Sequence, residues 1–332
     1  MKNKRKRRLE DWPKPPNIQR GSSIDGSIVV QNAQFVIFAD PAPTLATPSR
    51  SPLIRPLPAA ARPVTRAGVA GKIHIGVGGW DYDPWRGTFY PQGLAKTKQL
   101  EYAASKLTAT EINATYYKLQ SPALFERWGK MVPDGFTFAI KASRYATNRK
   151  NLAEAAESIG KFCAQGFTIL GDKLGPILWQ LANTKRFNPE EIRDFLALLP
   201  PRQDGVSLRH AIEPRHESFR DKAFVAMARA ANVAIVIAEH ESYPQIADLT
   251  ADFIYARLQR TREEEPAGYA PTELDRWAST TRQWADGECP AGLDYVSDAP
   301  APVTPRAVFA FVISGAKVRN PLAALALIER TR

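Results

Sequence analysis

The stretch KIHIGVGGWDYDPWRGTFYP, residues 72–91, helps to decide between two parallel α/β folds. Its first six residues alternate in polarity, which is typical of a β-strand. In an open, doubly wound sheet the first strand is followed by a G-x-G-x-x-G phosphate turn and a helix. Here Gly78 and Gly79 lead instead into a segment with five aromatic residues. The stretch therefore favours a closed barrel with a long first βα-loop, residues 78–91, and leaves the open sheet as the alternative.

The remainder of the chain repeats one pattern, in which short apolar runs alternate with amphipathic stretches. The runs predict strands over 72–77, 109–113, 136–142, 175–181, 207–213, 233–239, 253–258 and 307–313. The stretches between them predict helices over 96–107, 122–131, 151–164, 189–199, 221–231 and 272–286. Eight strands joined in this way over about 260 residues predict an α/β, TIM-barrel-like parallel (β/α)8 barrel.

The positive charge of the protein lies in its N-terminal part. The 332 residues carry a net charge of +11, and residues 1–72 hold 13 Lys/Arg against 4 Asp/Glu. We therefore expect two regions: a basic, Pro-rich tail over residues 1–71, mostly disordered or extended, and a nearly neutral barrel over 72–330. The basic run within residues 1–20 indicates weak contact with nucleic acid or another polyanion, with a solvated leader as the alternative.

The cysteines and the apolar segments exclude several classes of protein. Cys163 and Cys289 match neither a disulfide framework nor a zinc-ligand spacing. We expect no cofactor and no metal, with a divalent ion between Glu111, Glu213 and His216 as the less favoured alternative. No apolar run is long enough to cross a membrane, and no signal-peptide core follows the basic start. We expect a cytoplasmic protein with no membrane contact. The oligomeric state does not follow from the sequence.

Polar side chains recur where the predicted strands end. They are Glu111 and Asn113 after the second strand, Lys141 after the third, Gln180 after the fourth, Glu213, Arg215 and His216 after the fifth, and Tyr255 and Arg257 in the seventh. Catalytic groups of such barrels lie at the carboxyl ends of the strands. Charges buried there without a partner are costly, so we expect them to pair with one another, to meet a ligand, or both.

Aromatic residues in the first two βα-loops complete the predicted site. We expect Trp80, Tyr82 and Trp85 to wall the mouth of the barrel, while Phe89 and Tyr90 pack against the first helix. Tyr116 and Tyr117 belong to the neighbouring loop. Aromatic walls over a charged floor suit a small polar ligand such as a sugar or a nucleotide.

These residues resemble the domain-of-unknown-function 72 family (DUF72, YecE-like). The resemblance rests on Gly76–Trp80 with Trp85 and Phe89-Tyr90-Pro91, Glu111-Ile112-Asn113 with Tyr116-Tyr117, Phe138–Lys141, Leu174-Gly175 with Gln180-Leu181, Glu213-x-Arg215-His216 and Tyr255-x-Arg257. It spans nearly all of residues 73–325 and implies a TIM-barrel-like fold. It implies no reaction.

Three positions depart from the pattern of that family. Asn148 and Gln259-Arg260 stand where a histidine is usual, and Val312 to Ser314 stand where asparagines are usual. If those groups transfer protons elsewhere in the family, this chain is altered or inactive. The resemblance thus leaves both an enzyme and a degenerate barrel open.

Two functional hypotheses follow. In the first, the barrel is an acid–base enzyme, of hydrolase, lyase or isomerase type, acting on a small carbohydrate or phosphorylated substrate. Glu111 and Glu213 divide the acid and base roles, Lys141 and Arg215 supply cations, and His216 transfers protons. The remaining named residues, Trp80, Tyr82, Trp85, Asn113, Tyr116, Tyr117, Gln180, Tyr255 and Arg257, bind the substrate. In the second, the barrel binds a ligand without catalysis and the basic tail docks on a polyanion.

Overall fold

The computed structural model describes residues 70–332, and these form an α/β barrel. Its eight strands are parallel and follow one another in chain order. They are β1 Ile73–Gly78, β2 Ala109–Ile112, β3 Thr137–Lys141, β4 Leu174–Gln180, β5 His210–Glu213, β6 with segments Ala234–Ile235 and Ile237–Glu239, β7 Phe253–Leu258 and β8 Ala307–Val312. The predicted fold class is confirmed, and every strand lies within a few residues of its predicted bounds.

The barrel closes through β6, which is interrupted at Val236. Its first segment pairs with β5 through Ala211 and Ala234, and its second pairs with β7 through Ala256 and Ile237. The two ends of the hydrogen-bonded sheet are therefore consecutive parts of one strand. The pairing of β1 with β8 has five residues in register from Ile73–Val308 onward, and that of β7 with β8 has six.

Seven helices of eight or more residues surround the strands in the described part of the chain. They are α1 Gln99–Lys106, α2 Pro122–Lys130, α3 Ala156–Cys163, α4 Pro189–Ala197, α5 Lys222–Ala230, α6 Pro271–Asp286 and α7 Asn320–Thr331. The first six match the predicted helices. The prediction missed α7, the short hairpin of Arg202–Gln203 with Val206–Ser207, and the one-turn helices Ala114–Tyr117 and Arg144–Thr147.

The core has two layers because side chains of a strand alternate between opposite faces. On β7, Ile254 packs outward against the helices, whereas Phe253 and Tyr255 fill the barrel interior. Gly76 marks a close backbone approach within the sheet, since a Cβ there would lie 1.9 Å from the carbonyl oxygen of Ala109. This alternation fixes which polar residues face the axis of the barrel.

The amino-terminal end of the barrel is plugged by packed rings. His74 stacks on Phe309 with 4.7 Å between ring centroids, and the guanidinium of Arg209 lies 4.9 Å from the centroid of the same phenyl ring. Burial, together with Lys72 and Arg209, lowers the pKa of His74 to about 4. His74 is thus a neutral packing residue at the end opposite the candidate site, as its position at the start of β1 predicts.

Two sequence predictions lie outside the described residues. The basic, Pro-rich tail predicted over residues 1–71, apart from residues 70 and 71, and its polyanion contact through residues 1–20 lie there, so the boundary between residues 71 and 72 stays a prediction. Within residues 70–332, no helix combines the length and the hydropathy that crossing a bilayer requires.

Candidate functional site

The floor of the site is a polar layer at the carboxyl ends of the strands. Glu111, Lys141, Gln180, Glu213 and Arg257 occupy interior-facing positions near the ends of five strands. Alternation places them one layer above the interior apolar side chains, such as Ala139 below Lys141. Four of these five side chains are buried, and Lys141 is half-buried. The structure therefore brings these five predicted residues together at one end of the barrel.

Arg257 joins the two carboxylates of this layer. Its Nη1 donates to both oxygens of Glu213, at 2.9 and 2.8 Å, and its Nη2 donates to Oε1 of Glu111 at 3.1 Å. The Tyr255 hydroxyl donates to the other oxygen of Glu111 at 2.7 Å. Gln180 Nε2 donates to Glu213 Oε2 at 2.6 Å. The result is a connected array in which each carboxylate oxygen has at least one donor.

The array keeps Glu213 ionised. Burial alone would raise the pKa of Glu213, but Arg257, Arg215 and the hydrogen bond from Gln180 outweigh it and lower the pKa to about 2. The pKa of Arg257 is raised, because the attraction of Glu111 and Glu213 exceeds the effect of burial. A carboxylate with so low a pKa is a poor general acid near neutral pH. The expected division of acid and base roles between Glu111 and Glu213 is therefore not supported by this geometry.

Arg215 extends the array from the floor to the mouth. Its Nη2 donates to Glu213 Oε1 at 3.3 Å, and its guanidinium lies 4.4 Å above the ring of Tyr243. The ring of His240 stacks on the ring of Tyr243, with 3.8 Å between the two ring centroids. The Nε atom of Arg215 is buried and has no hydrogen-bond partner among the described residues. This guanidinium therefore retains a donor beyond its contacts with the protein.

Lys141 lies at the end of β3, in the same polar layer. Its ammonium lies 4.3 Å from the ring centroid of Tyr116. Within residues 70–332 no carboxylate forms a salt bridge with it, since Glu111 and Glu213 bind the two arginines. Burial lowers the pKa of Lys141 to about 8, with Glu111 and Glu213 raising it and Arg257 and Arg215 lowering it further. The pKa of Lys141 is thus closer to neutral pH than that of Glu213 or Arg257.

The first βα-loop is anchored through its aromatic residues, and one prediction there is wrong. Trp85 does not wall the mouth: its side chain is fully buried, and its Nε1 donates to the carbonyl oxygen of Lys317 at 2.8 Å. Tyr82 is half-buried beneath the ammonium of Lys317, which lies 4.2 Å from its ring centroid. The predicted packing of Phe89 and Tyr90 against α1 is confirmed by their contacts with Tyr102.

Trp80 lines a cleft beside the polar floor, which we call the aromatic cleft. Its volume is about 580 Å³, and Trp80, Asn113, Tyr117, Trp128 and Lys317 lie along it. Trp80 packs edge-to-face on Trp128 at 5.2 Å. The cleft thus collects three predicted ligand-binding residues. The sequence prediction missed Trp128 and Lys317 because they belong to α2 and to the loop after β8.

Tyr116 and Tyr117 lie at the border between the floor and the cleft. The ring of Tyr116 faces Lys141, and its hydroxyl accepts a hydrogen bond from Asn148 at 3.1 Å. Tyr117 exposes 63% of its surface, the largest exposure of any aromatic residue in the described chain. One ring therefore shapes the environment of an amine, and the other is open to a partner or ligand.

His216 is not joined to the polar array. Its Nδ1 accepts a hydrogen bond from the backbone N–H of Ser218 at 3.1 Å and lies 2.9 Å from the Ser218 hydroxyl. It thereby caps the short helix Glu217–Phe219. Across residues 70–332 no three His, Cys, Asp or Glu side chains gather in a way that could hold a metal ion. A proton-transfer role for His216 stays a prediction that these contacts do not support.

The positions that depart from the family pattern lie around the mouth. Gln259 and Arg260, after β7, and Ser314, after β8, line a second cavity of about 300 Å³ together with His240. Asn148 supports Tyr116. The sequence departures therefore change the rim above the array, whereas Glu111, Glu213 and Arg257 beneath it are retained.

Comparison with known proteins identifies the family. The family model described as "Protein of unknown function DUF72" matches residues 74–330, and the chain belongs to this family. The UPF0759 protein YunF of Bacillus subtilis (strain 168) is 33% identical over 79 residues, which cover 24% of this chain and 27% of that protein.

Two solved structures of DUF72 family proteins share the fold. The one from Thermotoga maritima has a TM-score of 0.59 at 17% identity and covers 78% of this chain and 98% of its own. The one from Enterococcus faecalis has a TM-score of 0.57 at 16% identity and covers 78% and 97%. These structures support the barrel architecture and carry no information on a reaction.

Proposed function

We propose that this DUF72 protein is an acid–base enzyme whose proton-transferring group is Lys141 and whose substrate is a small, polar, anionic molecule. The observation that carries the proposal is the position of Lys141: a half-buried amine at the carboxyl ends of the barrel strands, with its pKa lowered to about 8. A general acid or base works best when its pKa lies near the operating pH. Lys141 meets that condition better than Glu213 does.

The charges of the site support an anionic substrate. The side chain of Arg215 is 20% exposed, and Lys317 lies at the adjacent aromatic cleft. Guanidinium groups bind carboxylate and phosphate through paired hydrogen bonds. Trp80 and Tyr117 offer apolar surface to a sugar or a similar ring. Sugar acids and sugar phosphates combine both features, and we propose them as the substrate class.

The buried array has a supporting role in this proposal. Arg257 holds Glu111 and Glu213 in fixed positions below Lys141, and the fixed charges set the potential in which the amine titrates. Fixed charges of this kind stabilise a developing charge without having to reorganise. Glu111 and Glu213 are thus positioning residues, and Lys141 and Arg215 are the residues proposed to touch the substrate.

A thermal-shift screen tests the substrate class. A ligand at a hundred times its dissociation constant adds about 2.7 kcal/mol of stability. We expect sugar acids and sugar phosphates to raise the Tm and the corresponding neutral sugars to leave it unchanged. The shift should disappear in Arg215→Met and persist in the control Arg220→Met, whose arginine binds Asp294 at the surface.

Turnover of any stabilising ligand is then followed by NMR in the wild type and in Lys141→Met. We expect Lys141→Met to bind the ligand and to lose turnover. Stabilisation by neutral sugars alone, or turnover that survives Lys141→Met, would contradict the proposal.

A second candidate, ligand binding without catalysis, is favoured by the complete pairing of Glu111 and Glu213. It predicts that every stabilising ligand is recovered chemically unchanged after long incubation. In this candidate, the basic run within residues 1–20 docks the protein on nucleic acid or another polyanion. Salt-dependent retention on nucleic acid that is lost when residues 1–66 are deleted would support the docking, and unchanged retention would refute it.

We further propose that the protein acts in the cytoplasm. Cys163 is buried and Cys289 half-buried, and both are unpaired. Unpaired cysteines are usual in a reducing compartment. Fractionation of cells that express the full chain, followed by detection of the protein, would test this location.

A further inference from the structure

The amine of Lys141 occupies an unusual electrostatic position. Two carboxylates, Glu111 and Glu213, lie in the polar floor, and both are bound by Arg257. Arg215 contributes a second guanidinium and also binds Glu213. The two negative charges are therefore matched by two positive charges before Lys141 is counted.

A protonated Lys141 is thus the one cation of this set left without a counter-charge. The charged groups around it are Glu111, Glu213, Arg215 and Arg257, and the remaining titratable neighbour is Tyr116, whose ring lies below the ammonium. Placing an ammonium beside two guanidiniums and removing it from water both disfavour its charged form. The site is electrically neutral when Lys141 carries an unprotonated amine.

An unprotonated, accessible primary amine is a nucleophile toward carbonyl groups. We propose that Lys141 condenses reversibly with the carbonyl group of a small anionic aldehyde or ketone to form an imine. This inference rests on the proposed function of the same site and narrows its substrate class to carbonyl compounds that carry a carboxylate or a phosphate.

The step balances with groups that are present. The Lys141 Nζ lone pair forms a bond to the carbonyl carbon, and the electrons of the C=O double bond move to the oxygen, which takes up a proton. The nitrogen releases a proton to solvent, a second proton reaches the hydroxyl oxygen, and water leaves as the C=N bond forms. The product is a protonated imine, and no oxidant or reductant is consumed.

Tyr116 is placed to supply a proton. Its ring lies directly at Lys141, and its hydroxyl oxygen accepts the hydrogen bond from Asn148, so that the hydroxyl hydrogen remains to be donated. The anionic group of the substrate can bind the guanidinium of Arg215, whose side chain is 20% exposed. The negative charge it brings compensates the positive charge of the imine, which keeps the site neutral after condensation.

Reductive trapping tests the imine. The full-length protein is incubated with glyoxylate and sodium cyanoborohydride, which converts each imine into a carboxymethylated lysine, and modified peptides are quantified by mass spectrometry. With a pKa of about 8 instead of 10.5, the unprotonated fraction at neutral pH is about 300-fold larger. Lys141 is less accessible than a surface lysine, which offsets part of this gain. We therefore expect Lys141 to be labelled roughly tenfold faster than the exposed Lys118.

Two variants separate this inference from the proposed function. Arg215→Met should slow the labelling of Lys141 by glyoxylate more than its labelling by the uncharged glycolaldehyde, because loss of the nearby cation raises the Lys141 pKa for both probes and removes an anion contact for glyoxylate alone. Lys141→Arg retains a positive charge, forms no imine and should lose the fast labelling.

Equal labelling rates for Lys141 and Lys118 would overturn the imine. If a ligand from the thermal-shift screen is turned over in a Lys141-dependent way without trapping, the imine fails and the acid–base proposal survives. If turnover persists in Lys141→Arg, both fail.

Discussion

Replacement of Arg257 by methionine removes the cation that Glu111 and Glu213 share, and it leaves an unbranched apolar side chain in the same space. The magnitude follows from Glu213, whose pKa lies at about 2 in the folded protein against an ordinary 4.5. A shift of this size corresponds to about 3 kcal/mol. Removing one partner of a buried ion pair costs about 3–5 kcal/mol. We therefore expect Arg257→Met to lower the free energy of unfolding by about 3–5 kcal/mol at pH 7, and the Tm by roughly 10 °C.

The pH dependence of the loss identifies its cause. In the wild type the contribution of Glu213 is complete above pH 4.5 and is lost only as the pH falls toward 2, because its folded pKa is depressed. In Arg257→Met the buried Glu213 keeps Arg215 and Gln180 but loses its main cation, so its pKa rises above the wild-type value. The difference in stability between the two proteins should therefore shrink as the pH falls below 4.5, where the wild type begins to lose the contribution of Glu213.

The assay is urea unfolding followed by circular dichroism at several pH values. The control is Arg330→Met, which breaks the surface pair of Arg330 with Asp275 and should cost less than about 1 kcal/mol. An Arg257→Met protein within about 1 kcal/mol of the wild type, or a stability difference that grows on acidification, would refute the reasoning.

Three further changes test other parts of the fold. Tyr255→Phe deletes the hydroxyl that donates to Glu111 and should lower the free energy of unfolding in urea by about 1–3 kcal/mol. An unchanged free energy of unfolding would show that this hydrogen bond does not stabilise the fold. Gly76→Ala should prevent folding, since its Cβ would meet a neighbouring carbonyl oxygen at 1.9 Å. As a control, Gly160→Ala in an exposed helical position should stabilise the protein by about 0.5–1 kcal/mol. A folded Gly76→Ala protein would refute the close approach. Burial lowers the pKa of His74 to about 4, so stability should be complete above pH 6.5 and fall between pH 6.5 and 4. His74→Phe should remove that decline, and an NMR titration of the His74 ring with a midpoint above 6 would contradict it.

The strands could be predicted because burial on both faces of a barrel strand leaves short, continuous apolar runs. The same runs placed Glu111 and Arg257 near the carboxyl ends of their strands. The prediction of helices and strand ends was less accurate where the same sequence pattern occurs in other local structures. Helix α7 begins with Asn320-Pro321, much as α4 begins with Asn188-Pro189, so its start signal was present in the sequence. The interruption of β6 at Val236 leaves no trace in an apolar run.

The partners within the site depend on contacts between distant parts of the chain. Trp85 turns inward because its Nε1 reaches the carbonyl oxygen of Lys317, 232 residues away in the sequence. Composition could not show that one guanidinium, that of Arg257, would bind both carboxylates. Because both glutamates are paired with Arg257, the proposed proton transfer is assigned to Lys141. The surroundings of Lys141 are defined only in the folded chain.

The most direct test of the central proposal is the titration of the Lys141 amine itself. Carbon-13 NMR of the lysine Cε carbons in the full-length protein, with Lys141→Arg to assign the signal, reports the protonation of each amine. We predict a midpoint near pH 8 for Lys141. We also predict that Arg215→Met shifts the midpoint upward, since it removes a nearby cation. A midpoint above pH 10, where ordinary lysines titrate, would contradict both the acid–base role and the imine.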